Sequence, residues 1–167
     1  MLQKFLQNNF SLIEVLKQNE VGKVELLYDK KNRRLCIFKN ISSPEIYKKL
    51  KKIQNPHIPE IFFISKNFII EEYIEGKNLA EFLDCKNISD EKITSILFQL
   101  CNCLKILHAH GIIHRDIKPT NLILRGDKIF LIDFGIARLV KNNSESDTSW
   151  IGTRGFAPPE QFGFGQT

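Results

Sequence analysis

His114-Arg115-Asp116-Ile117-Lys118-Pro119-Thr120-Asn121, followed by a second acidic turn at Asp133-Phe134-Gly135, is the stretch on which the reading of this chain turns. It brings together an acid, a lysine two residues on, a carboxamide three residues later and a further acid. Phosphoryl transfer needs a carboxylate to orient an attacking hydroxyl and oxygen ligands to hold Mg²⁺ against phosphates. Asp116, Asn121 and Asp133 are of the residue types that these tasks require. A D-F-G tripeptide alone is common by chance; H-R-D-x-K-P-x-N ahead of it is not.

The surrounding chain of 167 residues is 43% hydrophobic and 26% charged, enough to bury a core and too apolar for a disordered polypeptide. Its net charge of +5 comes mainly from Lys. Lys48-Lys49-Leu50-Lys51-Lys52 has helical spacing and reads as a solvated face; Lys30-Lys31-Asn32-Arg33-Arg34 reads as a hairpin turn. Charge alone would admit a nucleic acid. No basic platform interleaved with aromatic residues accompanies it, so no nucleic-acid partner is expected. Cys36, Cys85, Cys101 and Cys103 form no C-x-x-C pair and have no His at metal-ligand spacing, which points to reduced, structural thiols in a cytoplasmic protein. Apolar runs such as Ile61-Phe62-Phe63-Ile64 are too short for a membrane segment, and residues 1–10 lack a signal-peptide pattern.

Short apolar runs at 10–16, 24–28 and 35–38, with Gly22 and the polar stretch 29–34 between them, predict three antiparallel strands. Ser42-Ser43-Pro44-Glu45 predicts a helix start with a Ser cap, continued by Ile46, Leu50 and Ile53 and closed by Pro56. Strands follow at 58–65 and 68–74 around a turn at Lys66-Asn67. After Gly76 the chain turns helical. Ser89-Asp90-Glu91 opens a long helix whose stripe is Ile93, Ile96, Leu97, Leu100, Leu104 and Leu107, with Gly111 as its stop. A hairpin is expected from 122–124 and 129–132 around Arg125-Gly126-Asp127-Lys128.

This order of elements and motifs resembles the eukaryotic-type Ser/Thr protein kinase family, including its bacterial members, over about residues 10–161. The resemblance implies an α+β, protein-kinase-like two-lobed fold. Residues 1–74 would be an N-lobe of antiparallel sheet with one short helix. Residues 75–167 would be an incomplete helical C-lobe, truncated after the Pro158-Pro159-Glu160 segment. It implies ATP and Mg²⁺ as cofactors, a protein substrate or partner chain, and a nucleotide cleft between Lys39 and Asp133. Asp116 and Lys118 become the catalytic residues and Asn121 and Asp133 the metal ligands. Gly22, Val24, Ile37, Lys39, Glu72, Ile74 and Ile123 become the nucleotide-binding positions, with Lys39 on the α- and β-phosphates and Glu72-Tyr73-Ile74 in the hinge. Lys118 marks Ser/Thr rather than Tyr kinases and would neutralise charge on the transferring phosphoryl group. Arg115 would dock a phosphorylated activation segment, 136–151, with Ser144, Ser146, Thr148 and Ser149 as candidate phosphosites. His114 and Phe134 would be packing residues, and Thr153 would contact Asp116 and Lys118.

The chain also departs from that pattern. Residues 16–24 align with L-G-x-G-x-x-G-x-V but keep only Gly22, with Lys17 and Asn19 where bare backbone normally lies over the phosphates. Ile37 stands where the family has a small Ala against the adenine ring, and a packed wall tolerates little added volume. Ile46 occupies the helix position of the family's Glu; Glu45 is one residue off, about 100° around the helix. Glu71 falls at the usually apolar gatekeeper position, where an unpaired carboxylate would be costly to bury. Two carboxylates are therefore candidates to orient Lys39: Glu71 directly, or Glu45 through a shifted helix. These departures, and the C-lobe helices that the resemblance implies beyond Thr167, leave a second function open: a catalytically weak or inactive, kinase-like (pseudokinase) binding module or a gene fragment. A third class, the small-molecule phosphotransferases, fits Lys118-Pro119 less well.

Overall fold

Alternating apolar residues after Phe10 build the first of two units into which the chain divides, Met1–Gln54 with Pro59–Tyr73 and Asn55–Ile58 with Ile74–Thr167. A computed structural model describes residues 2–20, 22–84, 88–140 and 152–162. In the first unit α1 (Leu2–Asn9) leads into β1 (Phe10–Asn19), β2 (Gly22–Asp29) and β3 (Arg34–Asn40). Then come α2 (Pro44–Lys52), β4 (Ile61–Ile64) and β5 (Phe68–Glu72). The strands form an antiparallel sheet in the order β1-β2-β3-β5-β4. Between β2 and β3, Asp29 accepts from the backbone N–H groups of Lys31 at 3.1 Å and Asn32 at 3.0 Å, an Asx turn that realises the expected polar hairpin.

Helix α1 was not anticipated. An eight-residue helix is too short to be stable alone. Packing explains it: Leu6, with Phe10 and Phe62, lies on the cluster Leu27, Cys36, Phe38, Phe68 and Ile70. Among its described residues the unit thus has two helices where one was expected. In α2, Ile46, Tyr47 and Leu50 are buried, and Ile53 ends the helix in extended conformation before Pro56 is reached. Ser43 stands at the cap position yet makes no side-chain cap bond, so Pro44 at the first turn and Glu45 beside it carry the start. Strand β4 begins at Ile61 rather than at residue 58. The preceding stretch is held in the second unit, where the Asn55 Nδ2 donates to the Cys103 carbonyl at 3.3 Å and the His57 carbonyl accepts from the Leu131 N–H at 2.7 Å.

The second unit runs through β6 (Lys77–Asn78), α3 (Leu79–Leu83), α4 (Asp90–Ala109), β7 (Ile112–Ile113), β8 (Leu122–Arg125), β9 (Lys128–Leu131) and β10 (Arg138–Leu139). Strands β6, β8 and β9 form one small sheet, β7 and β10 another. A capping box between Asn78 and Glu81 starts α3, and the Ser89 hydroxyl accepts from the Lys92 N–H to start α4. The stripe of α4 is narrower than expected: Ile96, Cys103 and Leu107 are buried, whereas Leu97 is 55% exposed. Burial pushes the Cys36 and Cys103 thiols up to about 11, which suits inert structural thiols; Cys85 lies outside the described residues. Among the described residues no helix is long and apolar enough to cross a membrane.

Gly76 shows why a small residue breaks the chain ahead of α3. A Cβ added there would collide with the backbone carbonyl oxygen of Leu124 in β8, which has no freedom to move aside. Gly76→Ala is therefore expected to destabilise the protein by about 1–3 kcal/mol, read as a lower midpoint in urea unfolding with an unchanged slope.

Candidate active site

The second unit assembles its polar residues on a loop between β7 and β8. Asn121 ends a short 3₁₀ turn, Pro119–Asn121, and its side-chain NH₂ donates to the Asp116 backbone carbonyl and to Asp116 Oδ2, both at 2.8 Å. Lys118 Nζ lies 2.8 Å from Asp116 Oδ2 and also donates to Thr153 Oγ1 at 2.8 Å. The Thr153 hydroxyl in turn donates to Asp116 Oδ1 at 2.7 Å. Both carboxylate oxygens of Asp116 are thus held. Burial alone would raise the Asp116 carboxyl, but hydrogen bonds from Lys118, Thr153 and Asn121, with the charge of Lys118, outweigh it and hold it below the usual carboxylate range.

His114 joins this loop to the acidic turn after β9. Its Nδ1 accepts from the Asp116 N–H at 3.2 Å, so Nε2 carries the proton and donates to the Ile132 carbonyl at 2.9 Å. Its buried ring meets Phe134 edge-on, the centroids 4.7 Å apart, in the packing role expected of both. The Ile132 N–H donates to the Asn121 carbonyl at 2.9 Å, which sets Asn121 beside the residue that leads into Asp133. Arg115 and Asp133 adopt φ of 66° and 64°. A Cβ on Gly135 would come within 3.2 Å of Asp133 Oδ1, so glycine there keeps space beside that carboxylate.

Asp116, Lys118 and Asn121 are thus joined by direct contacts, and Asp133 follows the residue whose N–H bonds to the Asn121 carbonyl. Arg115, expected to bind a phosphorylated segment, donates from Nε to the Ile136 carbonyl at 2.8 Å. Its own carbonyl accepts from Gln161 Nε2 at 2.9 Å. Gln161 was missed as a site residue; its position directly after Pro158-Pro159-Glu160 was the available signal. Ser144, Ser146, Thr148 and Ser149 lie outside the described residues.

In the first unit, strand register places Val24 opposite Lys39 and Ile37 opposite Glu71, with Lys39 opposite Ile69. Lys39 Nζ and Glu71 Oε1 pair at 3.0 Å, both residues buried. Glu45, the other candidate, is exposed and pairs with Lys48 at 2.7 Å. The Gly22 N–H donates to Asn19 Oδ1 at 3.1 Å, and the Lys23 N–H to Asn40 Oδ1 at 2.9 Å, so polar side chains brace the β1–β2 connection where the aligned pattern has glycine. Glu72 ends β5, Ile74 is buried, and Ile123 lies in β8 opposite Phe130.

Such a set (a lysine on a sheet, an H-R-D-x-K-P-x-N loop and a D-F-G turn) belongs to phosphotransferases of the protein kinase type. The protein kinase domain family matches residues 8–166, and the chain is a member of that family. Serine/threonine-protein kinase D of Synechocystis sp. is 40% identical over 119 residues, covering 64% of this chain and 23% of its own length. Cyclin-dependent kinase-like 1 of Caenorhabditis elegans is 31% identical over 161 residues, with 95% and 36% covered. Serine/threonine-protein kinase PknA of Nostoc sp. is 30% identical over 192 aligned residues, with 96% and 34% covered. The chain spans only 23% to 36% of the length of these relatives.

Proposed function

We propose that the chain transfers the γ-phosphoryl group of ATP to Ser or Thr hydroxyls of proteins, in the cytoplasm. The observation that carries this reading is the Thr153 hydroxyl seated between Asp116 and Lys118, donating to one and accepting from the other at 2.7 and 2.8 Å. An acceptor hydroxyl in the same arrangement has its proton directed at the Asp116 carboxylate and its lone pair turned away from it. As the oxygen attacks, the bond from the β–γ bridging oxygen to phosphorus breaks, the new P–O bond forms, and Asp116 accepts the hydroxyl proton. Lys118 offsets negative charge on the transferring group.

Asn121 and Asp133 fit a hard cation. Both Asn121 N–H groups are used on Asp116, while its Oδ1 accepts no hydrogen bond among the described residues. This carbonyl oxygen and the Asp133 carboxylate would hold Mg²⁺, which would supply charge neutralisation on the phosphates. Lys39 takes the α- and β-phosphates; Gly22, Val24, Ile37, Glu72, Ile74 and Ile123 make up the rest of the nucleotide site.

The test is incubation with γ-labelled ATP, Mg²⁺ and a general protein acceptor such as casein, followed by phosphoamino-acid analysis. Label in phosphoserine or phosphothreonine supports the reading. ATP binding without label transfer to any protein would make the chain a kinase-like binding module instead.

A further inference from the structure

We propose that Glu71 is the positioning residue for Lys39, a role that kinases ordinarily give to a glutamate on a helix. The inference rests on the reading of Lys39 as the residue that takes the ATP phosphates. Lys39 and Glu71 both belong to the first unit. Antiparallel pairing of β3 with β5 sets Ile37 opposite Glu71 and Lys39 opposite Ile69, so Lys39 and Glu71 are diagonal neighbours on one face of the sheet. Their side chains meet at 3.0 Å, and the two residues are 9% and 6% exposed. Losing the Lys39 amine would leave the buried Glu71 carboxylate without the cation that it meets here, which is costly, so the pair is strongly constrained. Helix α2 offers no rival: Ile46 is buried there, and Glu45, its side chain 67% exposed, is occupied by Lys48. The carboxylate that aims the lysine thus sits on the adjacent strand. The backbone hydrogen bonds of the sheet hold the pair in register, independently of where α2 lies.

Affinities for ATP·Mg²⁺ and for adenosine, measured by calorimetry, separate this role from a merely structural one, because adenosine has no phosphates for Lys39 to bind. Glu71→Gln keeps the shape and removes the charge; it is expected to weaken ATP·Mg²⁺ about tenfold and adenosine less than about twofold. Glu71→Asp, which keeps the charge on a shorter stem, should show a smaller loss confined to ATP, and serves if the Gln variant does not fold. Glu45→Ala should change neither affinity. In a Lys39→Met background Glu71→Gln should have no further effect on ATP, since the lysine it positions is gone. Equal loss of ATP and adenosine in Glu71→Gln, or an ATP-specific loss in Glu45→Ala, overturns the proposal. If Lys39→Met weakens ATP but both Glu71 variants bind it normally, the positioning role fails and the reading of Lys39 stands. If Lys39→Met leaves ATP affinity unchanged, the reading of Lys39 is what fails.

Discussion

Asp116→Asn is expected to lower phosphoryl transfer by about a thousandfold while ATP·Mg²⁺ affinity stays within about twofold, measured by label transfer and by calorimetry on the same preparation. The asymmetry follows from what Asp116 touches. Its carboxylate holds a hydroxyl at 2.7 Å and the Lys118 amine at 2.8 Å, and has no role on a phosphate in the proposed chemistry. An amide of the same shape cannot take the proton of the attacking hydroxyl. The pH dependence has a definite sign. The folded-state pKa of Asp116 is depressed, so the carboxylate persists above its ordinary value and is lost only as pH falls through the lower folded one. An acid limb from this group therefore lies below the usual range of an aspartate. Loss of turnover with a midpoint near 6, in the absence of unfolding, would show that another group titrates.

Asp133→Asn is expected to act on the other parameter, weakening ATP·Mg²⁺ about ten- to a hundredfold, because a neutral amide is a poorer ligand for a hard dication than a carboxylate. Asn tolerates the φ of 64° found here about as well as Asp does, so the substitution adds no backbone strain. Calorimetric titration at several Mg²⁺ concentrations gives the comparison. If Asp116→Asn and Asp133→Asn lose nucleotide affinity equally, the two carboxylates have been given the wrong tasks.

Much of the site was legible because its chemistry fixes residue types at short separations. Asp116, Lys118 and Asn121 lie within six positions of one loop, and their mutual bonds are the consequence of that spacing. The strands of the first unit were legible from alternation, and the start of α4 from Ser89. What stayed hidden depends on partners distant in sequence. Helix α1 forms because Leu6 finds the cluster around Phe38. Residues 55–58 leave the expected strand because their hydrogen bonds lie with Cys103 and Leu131. The outward turn of Leu97 reflects which side of α4 meets β9 and β7, and an apolar stripe cannot disclose its own width. For Lys39 the sequence left two carboxylates open; the pairing register of β3 with β5 decided for Glu71.

The left-handed backbone at Arg115 and Asp133 carries a thermodynamic consequence. A non-glycine residue held in that region costs about 1–3 kcal/mol, and two such residues flank the chemistry. Glycine at either position would relieve the backbone strain but would remove the Arg115 bond to the Ile136 carbonyl or the Asp133 carboxylate. Against a typical total of about 5–15 kcal/mol, that strain is a large cost to carry at two positions. In backbone strain alone, selection for heat resistance and selection for turnover would thus pull these same two residues in opposite directions, and a thermostabilised descendant that keeps both must find its gain elsewhere in the chain.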